Sequence, residues 1–262
     1  MSSEATRPFL TGITAGDLVT TTVCGLDDHD VLVRLDGDRA EEVLGRISAH
    51  ELSWHRIDDV PAFAVSGRRL TAEVLGVDRD KGVAHLSSKR CEYPEHRDYV
   101  RQVEPGSRLH GSIASVESFG VFVRLNGEVP HPVFPATGFI RIPDLSWTHF
   151  DRAEDVVRPG QRVHVEVVGP DRSNGEVVVS LRALKEDPLI RFADRTGETV
   201  RGRVTKIVPF GVFVRVSDEG VEGLVHASAL TGFPGEGDTL HVRIDEVDLA
   251  RRRVRLSLAS AP

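Results

Sequence analysis

Two cysteines in 262 residues, Cys24 and Cys91, are too few and too far apart for a metal-ligand spacing or a disulfide framework. That poverty suits a reducing compartment, and a cytoplasmic protein is expected. There is no run of 18 apolar residues to span a membrane, and MSSEATRPFLTG has neither the basic start nor the apolar stretch of a signal peptide. Residues 1–15 are expected to form a loose arm. Catalytic patterns are missing as well. In HELSWH, 50–55, the histidines stand five positions apart where a zinc-binding helix needs four, which sets them about 140° apart around the helix. GFPGEGDT lacks a P-loop lysine, and the many serines, histidines and aspartates follow no motif that organises them for catalysis. Neither an enzyme nor a bound cofactor or metal is expected.

What is present is globular: 40% of residues are hydrophobic and 28% charged. The formal charge of −7 is uneven. Residues 1–105 hold 13 basic against 19 acidic residues, 106–196 hold 11 against 12, and 197–262 hold 9 of each. A polyanion is therefore repelled least by the C-terminal part.

The string SFGVFVRL at 118–125 returns as PFGVFVRV at 209–216, and the spacing around it recurs three times. Each segment opens on a glycine (Gly16, Gly106, Gly197), with His29, Phe119 or Phe210 thirteen residues on. A second glycine (Gly67, Gly160, Gly237) precedes Asp78, Asp171 or Asp248 by eleven residues, and Ser87, Ser180 or Ser257 follows nine later. Agreement at four anchors identifies three copies of one small domain. The expected boundaries are 16–90, 106–183 and 197–262, with linkers at 91–105 and 184–196.

Within a copy, VRGRVTKI, VFVRV, EGLVH, TLHVRIDEV and RVRLSL alternate apolar with polar residues, so five short strands are expected. Between the third and fourth strands a longer connection runs fifteen residues from Leu52 or Leu145 to the next glycine, and seven in the last copy. The fold predicted is all-β: three tandem five-stranded OB-fold barrels joined by short helical linkers. Parity places Val121, Val123 and Leu125 inside the second barrel, with Phe122 and Arg124 outside. It likewise places Val212, Val214 and Val216 inside the third, with Phe213 and Arg215 outside. Phe119 and Phe210 are expected beside the outward phenylalanine. Two aromatics on a wet face with an arginine in reach form a platform for unstacked bases, each stacked base contributing roughly 1–3 kcal/mol. The alternative is that these rings pack beneath a linker or a neighbouring barrel.

The order G-x-x-V-x-G-x-V, FGVFV, EGLVHASAL, G-x-x-L-x-V-x-I-x-x-x-D and RVRLSL in 197–258 resembles the S1 RNA-binding domain, named for a ribosomal protein built of tandem copies. Residues 106–183 are similar to it through SFGVFVRL, GFIRIPDLSW and VVVSLRALKEDP. The resemblance implies the OB barrel, single-stranded RNA as ligand, and no catalysis.

It also implies site residues where the pattern is kept. In the third copy these are Phe210, Phe213 and His226 as platform rings, with Asp248 and Arg253 beside them. Arg253 and Arg255 share a strand face suited to phosphates, although arginines on an edge strand also guard against aggregation. In the second copy Phe119 and Phe122 are kept, Arg141 replaces the histidine, and Glu176 stands where the third copy has Arg253. Arginine stacks on bases too, whereas the glutamate should weaken binding. Six extra residues enlarge its loop around VPHPVFPA. The first copy has His29, Asp30 and Leu32 for the aromatic string, Ser48 at the histidine position and Val83 at the arginine position. A kept core with an erased face points to a protein partner for 16–90. Two functions stay open: a sequence-tolerant RNA binder acting near the ribosome, or an adaptor docking barrels on a ribosome, polymerase or nuclease.

Overall fold

The computed structural model describes residues 8–28, 30–37, 43–216, 220–230, 232 and 234–259. A helix α1 (Pro8–Thr11) leads into β1 (Leu18–Asp27), β2 (Asp30–Leu35) and β3 (Gly45–Ser48), and α2 (Val60–Phe63) lies in the connection to β4 (Arg69–Asp78) and β5 (Val83–Ser87). After α3 (Pro94–Gln102) come β6 (Arg108–Glu117), β7 (Gly120–Leu125), β8 (Gly138–Arg141), β9 (Arg162–Asp171) and β10 (Glu176–Ser180). Helix α4 (Pro188–Ala193) precedes β11 (Thr199–Val208), β12 (Gly211–Arg215), β13 (Glu222–His226), β14 (Thr239–Asp248) and β15 (Arg253–Leu258). Each set of five closes into a barrel in which the third strand neighbours the fifth and the fourth returns to the first. Internal contacts divide the chain into two compact units, residues 1–107 with 124–138 and 167–178, and residues 108–123 with 139–166 and 179–262.

Alternation builds these barrels as expected. Val31, Val33 and Leu35 are buried in the first, Val121, Val123 and Leu125 in the second, and Val212, Val214 and Val216 in the third. Closure needs tightly coiled strands, and a register shift supplies the bend in the long strands: between Val23 and Gly25, Val74 and Gly76, Val204 and Lys206, and Ile244 and Glu246. The third core draws in Leu189 and Phe192 of α4, so that linker helix is part of the barrel's apolar interior.

The recurring aspartate has a local purpose. Asp78 accepts from the Lys81 amide, Asp171 from Ser173 and Asn174, and Asp248 from Arg251, in each case fixing the turn of the last hairpin. The Arg251 amide and then its side chain hold the Asp248 carboxyl below its usual range. Four residues after each aspartate the chain enters the left-handed region, at Gly82, Gly175 and Arg252. An arginine there costs roughly 1–2 kcal/mol against glycine. Its side chain offsets this, because Arg252 pairs with Asp187 and lies 4.5 Å over the Trp147 ring.

Trp147 is the tryptophan of the second LSW; Trp54 is that of the first, and the two are placed alike. Arg182 covers Trp147 at 4.5 Å, and Lys89 covers Trp54 at 4.2 Å. The far side of Trp54 meets Gly175, where a Cβ would lie 2.9 Å from the ring. Each tryptophan thus reaches the last hairpin of the following barrel. The enlarged loop of the second barrel joins the first of these contacts. Glu128 closes the loop by accepting from the Leu125 and Thr137 amides, and buried His131 sets its ring edge-on to Trp54 at 5.0 Å. His131 Nδ1 accepts from the Val133 and Phe134 amides while Nε2 donates to Asn174 O. Burial pushes its pKa down to about 4, so the ring is neutral. His96 of α3 lies against it and bonds Gly175 O at 2.8 Å and Val129 O at 3.2 Å.

Helix α3 is fixed to the first barrel by charge. Glu73 on β4 is 2% exposed, and its carboxylate meets Arg90 at 3.3 Å and Arg101 of α3 at 2.9 Å. Glu73→Gln leaves two guanidinium groups without their countercharge, and breaking a buried pair in this way costs about 3–5 kcal/mol. The expected outcome is an early transition in urea denaturation. Arg56→Ala, which removes only the solvent-exposed pair with Asp58, should shift the curve by less than about 1 kcal/mol.

Candidate nucleic-acid interface

On the third barrel the strand register assembles one outward face. Phe210 occupies the β11–β12 turn and is 52% exposed. The next residue must be glycine: Gly211 has φ 154°, and a Cβ there would lie 2.2 Å from Val225 O. Gly211 lies opposite His226, Phe213 opposite Leu224, Leu224 opposite Arg255, and Arg253 opposite Asp248. These side chains line an open groove of about 680 Å³. His226 Nδ1 accepts from the Ser228 amide, so in the neutral ring Nε2 carries the proton and points away as a donor. Arg255 pairs with Glu246 at 2.8 Å and Arg215 with Glu222 at 3.0 Å, all four partly exposed. Arg253 is exposed and makes no ion pair among the described residues. Asp248 is committed to the hairpin turn, so it shapes the groove's rim. Its recurrence in a copy without aromatics was the sign of a structural role.

The second barrel departs from expectation at Phe122. The ring lies on the outward side of β7, yet it is 3% exposed, packed at 5.1 Å from Phe139 and 6.3 Å from Phe119. Parity decides which face of a sheet a side chain leaves from, and nothing about what then covers it. Phe119 alone stays open, at 63%, stacked 6.1 Å from the half-buried Phe139. Phe139 was overlooked in GFIR, although alternation with buried Ile140 marks it as outward. Arg141 is exposed but pairs with Asp144, which Arg182 also contacts at 3.3 Å. Arg124 is exposed on the same strand as Phe122.

Glu176, at the position of Arg253, is 5% exposed, and burial followed by the charge of Asp171 pushes its pKa up to about 7. In the first barrel Leu32 and Ser48 occupy the platform positions, and Arg46 is paired with Asp27 at 2.8 Å. His29 lies outside the described residues. Among the described residues, no cluster of His, Cys, Asp and Glu could hold a metal, and no helix is long and apolar enough to cross a membrane.

Comparison with known proteins finds one family over all three barrels. The family model described as S1 RNA binding domain matches residues 13–89, 102–182 and 193–259. Small ribosomal subunit protein bS1 of Mycolicibacterium smegmatis is 34% identical over 232 residues, 83% of this chain and 46% of that protein. The bS1 homolog of Bacillus subtilis is 30% identical over 230 residues, 82% of this chain and 57% of its own length. The chain thus spans about half the length of the curated relatives it matches. A multidomain protein with nucleic acid binding domains from Streptococcus pneumoniae aligns over 94% of this chain and 74% of its own, at 15% identity and a TM-score of 0.24.

Two measurements follow. Phe122→Ala should cost about 3–5 kcal/mol of stability as a buried aromatic, and Phe119→Ala less than about 1 kcal/mol, read from thermal melts. Glu176 has a folded pKa above its ordinary 4.5. Its contribution to stability is therefore full below that value and lost as pH rises through about 7. Glu176→Gln should accordingly match the parent protein near pH 4 and exceed it near pH 8 by up to about 3 kcal/mol in urea titrations.

Proposed function

The chain belongs to the S1 RNA binding domain family, and on that premise we propose that it binds single-stranded RNA with little sequence preference, chiefly through the third barrel. The observation that supports this is the groove holding exposed Phe210 and half-buried Phe213 beside His226 and Arg253, which makes no ion pair among the described residues. Flat rings take any base on their faces, and the arginines suit the phosphates between bases. The second barrel contributes less, through Phe119, Arg141 and Arg124, since Phe122 and Glu176 are buried. Relatives named as small ribosomal subunit proteins favour a place in translation, in the cytoplasm, and a binding role over a catalytic one.

The first barrel carries a second role. Its platform positions hold Leu32 and Ser48, its Arg46 is neutralised by Asp27, and the region is acidic. Residues 16–90 therefore suit a protein partner better than RNA, the ribosome being the natural candidate.

Phe213→Ala tests the platform. RNA affinity should fall about 5-fold to more than 100-fold, the loss of roughly 1–3 kcal/mol of stacking, with little change in melting temperature. Val214→Ala, one position along and fully buried, should do the reverse. Unchanged RNA binding in Phe213→Ala would remove the platform from this account.

A further inference from the structure

Away from the aromatic groove, α4 and the outer faces of β11 and β12 enclose an open cleft of about 1060 Å³. Five arginines line it: Arg191 and Arg195 from α4, Arg201 and Arg203 from β11, and Arg215 from β12. No carboxylate lines it among the described residues. Three of the arginines are held by acids at the rim, Arg191 by Glu186, Arg195 by Glu198 and Arg215 by Glu222. Arg201 and Arg203 make no ion pair among the described residues, and Arg203 donates only to Gly237 O.

The strand register gives this cleft its meaning. Arg203 and Arg215 are directly opposed on neighbouring antiparallel strands. Like charges in that position repel and destabilise the sheet. An anion lying between them reverses the sign, and planar guanidinium groups suit phosphate oxygens in particular. Arg201 projects from the same side of β11 as Arg203, two residues away and separated from it by buried Gly202. On β12, Arg215 follows Phe213 by two residues on the same outward face, about 7 Å along the strand. A chain leaving the aromatic groove along β12 therefore arrives at the opposed arginines without crossing the barrel.

We propose that this arginine cleft is a second nucleic-acid subsite, taking the sugar–phosphate backbone of the RNA strand that extends beyond the aromatic groove. The proposal rests on the platform reading for the strand's direction, and on the opposed arginines for the ligand's charge. An acidic polypeptide would satisfy the charge alone, but nothing would then align the cleft with the stacking face.

The test uses the full chain and labelled oligouridylates of about six nucleotides, enough for one barrel's face, and about twenty. Two exposed phosphate contacts on a single strand add about −1.4 to the logarithmic salt slope, so removing them near physiological salt weakens binding about tenfold. Arg201→Gln/Arg203→Gln should lose that factor for the longer strand, lower its salt slope by about 1.4, and leave the short one within about twofold. Arg201→Glu/Arg203→Glu should exceed the loss, with unchanged melting temperatures showing both variants folded. Equal affinity of parent and variants for the longer strand overturns the proposal, and so does an equal loss for both lengths. Polyglutamate bound by the parent but not by the glutamate variant, with RNA unaffected, overturns it too and makes the cleft a protein surface. Phe213→Ala in the same assay keeps the two readings apart. If that variant binds both lengths normally while the arginine variants fail on the longer one, the platform reading falls and the cleft stands.

Discussion

A tryptophan held between a cation of its own barrel and the last hairpin of the next is the contact that makes three small barrels into one protein. Trp54 lies between Lys89 and Gly175, and Trp147 between Arg182 and Arg252. A domain of this size buries too little apolar surface to be generously stable alone. A large ring on a neighbour's turn adds area where it is scarce, and cations over the ring faces add to it. The remaining architecture is arranged around these contacts. The left-handed residue of the hairpin is a glycine where a ring must approach closely, and an arginine where a second cation is wanted. The proline-rich loop of the second barrel and His96 of α3 crowd around Trp54, and Asp187 at the start of α4 fixes Arg252 against Trp147.

The barrels were legible in the sequence because a barrel strand states its inside and outside every second residue. Val212, Val214 and Val216 are buried, while Arg215 is exposed and Phe213 only half-buried, and the spacing of four anchors fixed the copy number. The site was legible only in part, and the reasons are particular. Phe122 obeys parity and is buried all the same, since coverage by Phe139 and Phe119 is a tertiary fact. Phe139 could have been found by applying the same parity to GFIR. The recurring aspartate looked like part of a ligand face but serves the turn. The two LSW strings pointed to structure, without revealing that their tryptophans contact a different barrel. The loop at 128–138 gave no sign of its destination: a buried neutral histidine and an exposed one read identically in sequence.

The three copies form a graded series on one scaffold. In the third, the aromatic groove is open, and among the described residues Arg255 is paired while Arg253 is not. In the second, one ring is offered, one is covered, and a buried glutamate replaces an exposed arginine. In the first, the rings are gone and the nearest arginine is neutralised by Asp27. The net charge climbs in the same direction, from acidic to balanced. The outward face varies from copy to copy, and in the second copy it takes on packing of its own through Phe122, while the inward valines stay fixed. One fold thus carries three different outer faces.

The tryptophan junctions differ from the exposed arginines of the third barrel in what ionic strength does to them. The two half-buried rings, one between Lys89 and Gly175 and the other between Arg182 and Arg252, are screened less than exposed charges are. The exposed arginines of the third barrel face solvent, where every phosphate contact is made by releasing counterions. Salt therefore acts on the two kinds of contact independently. Raising the ionic strength is expected to weaken contacts at the exposed arginines well before it weakens the tryptophan junctions.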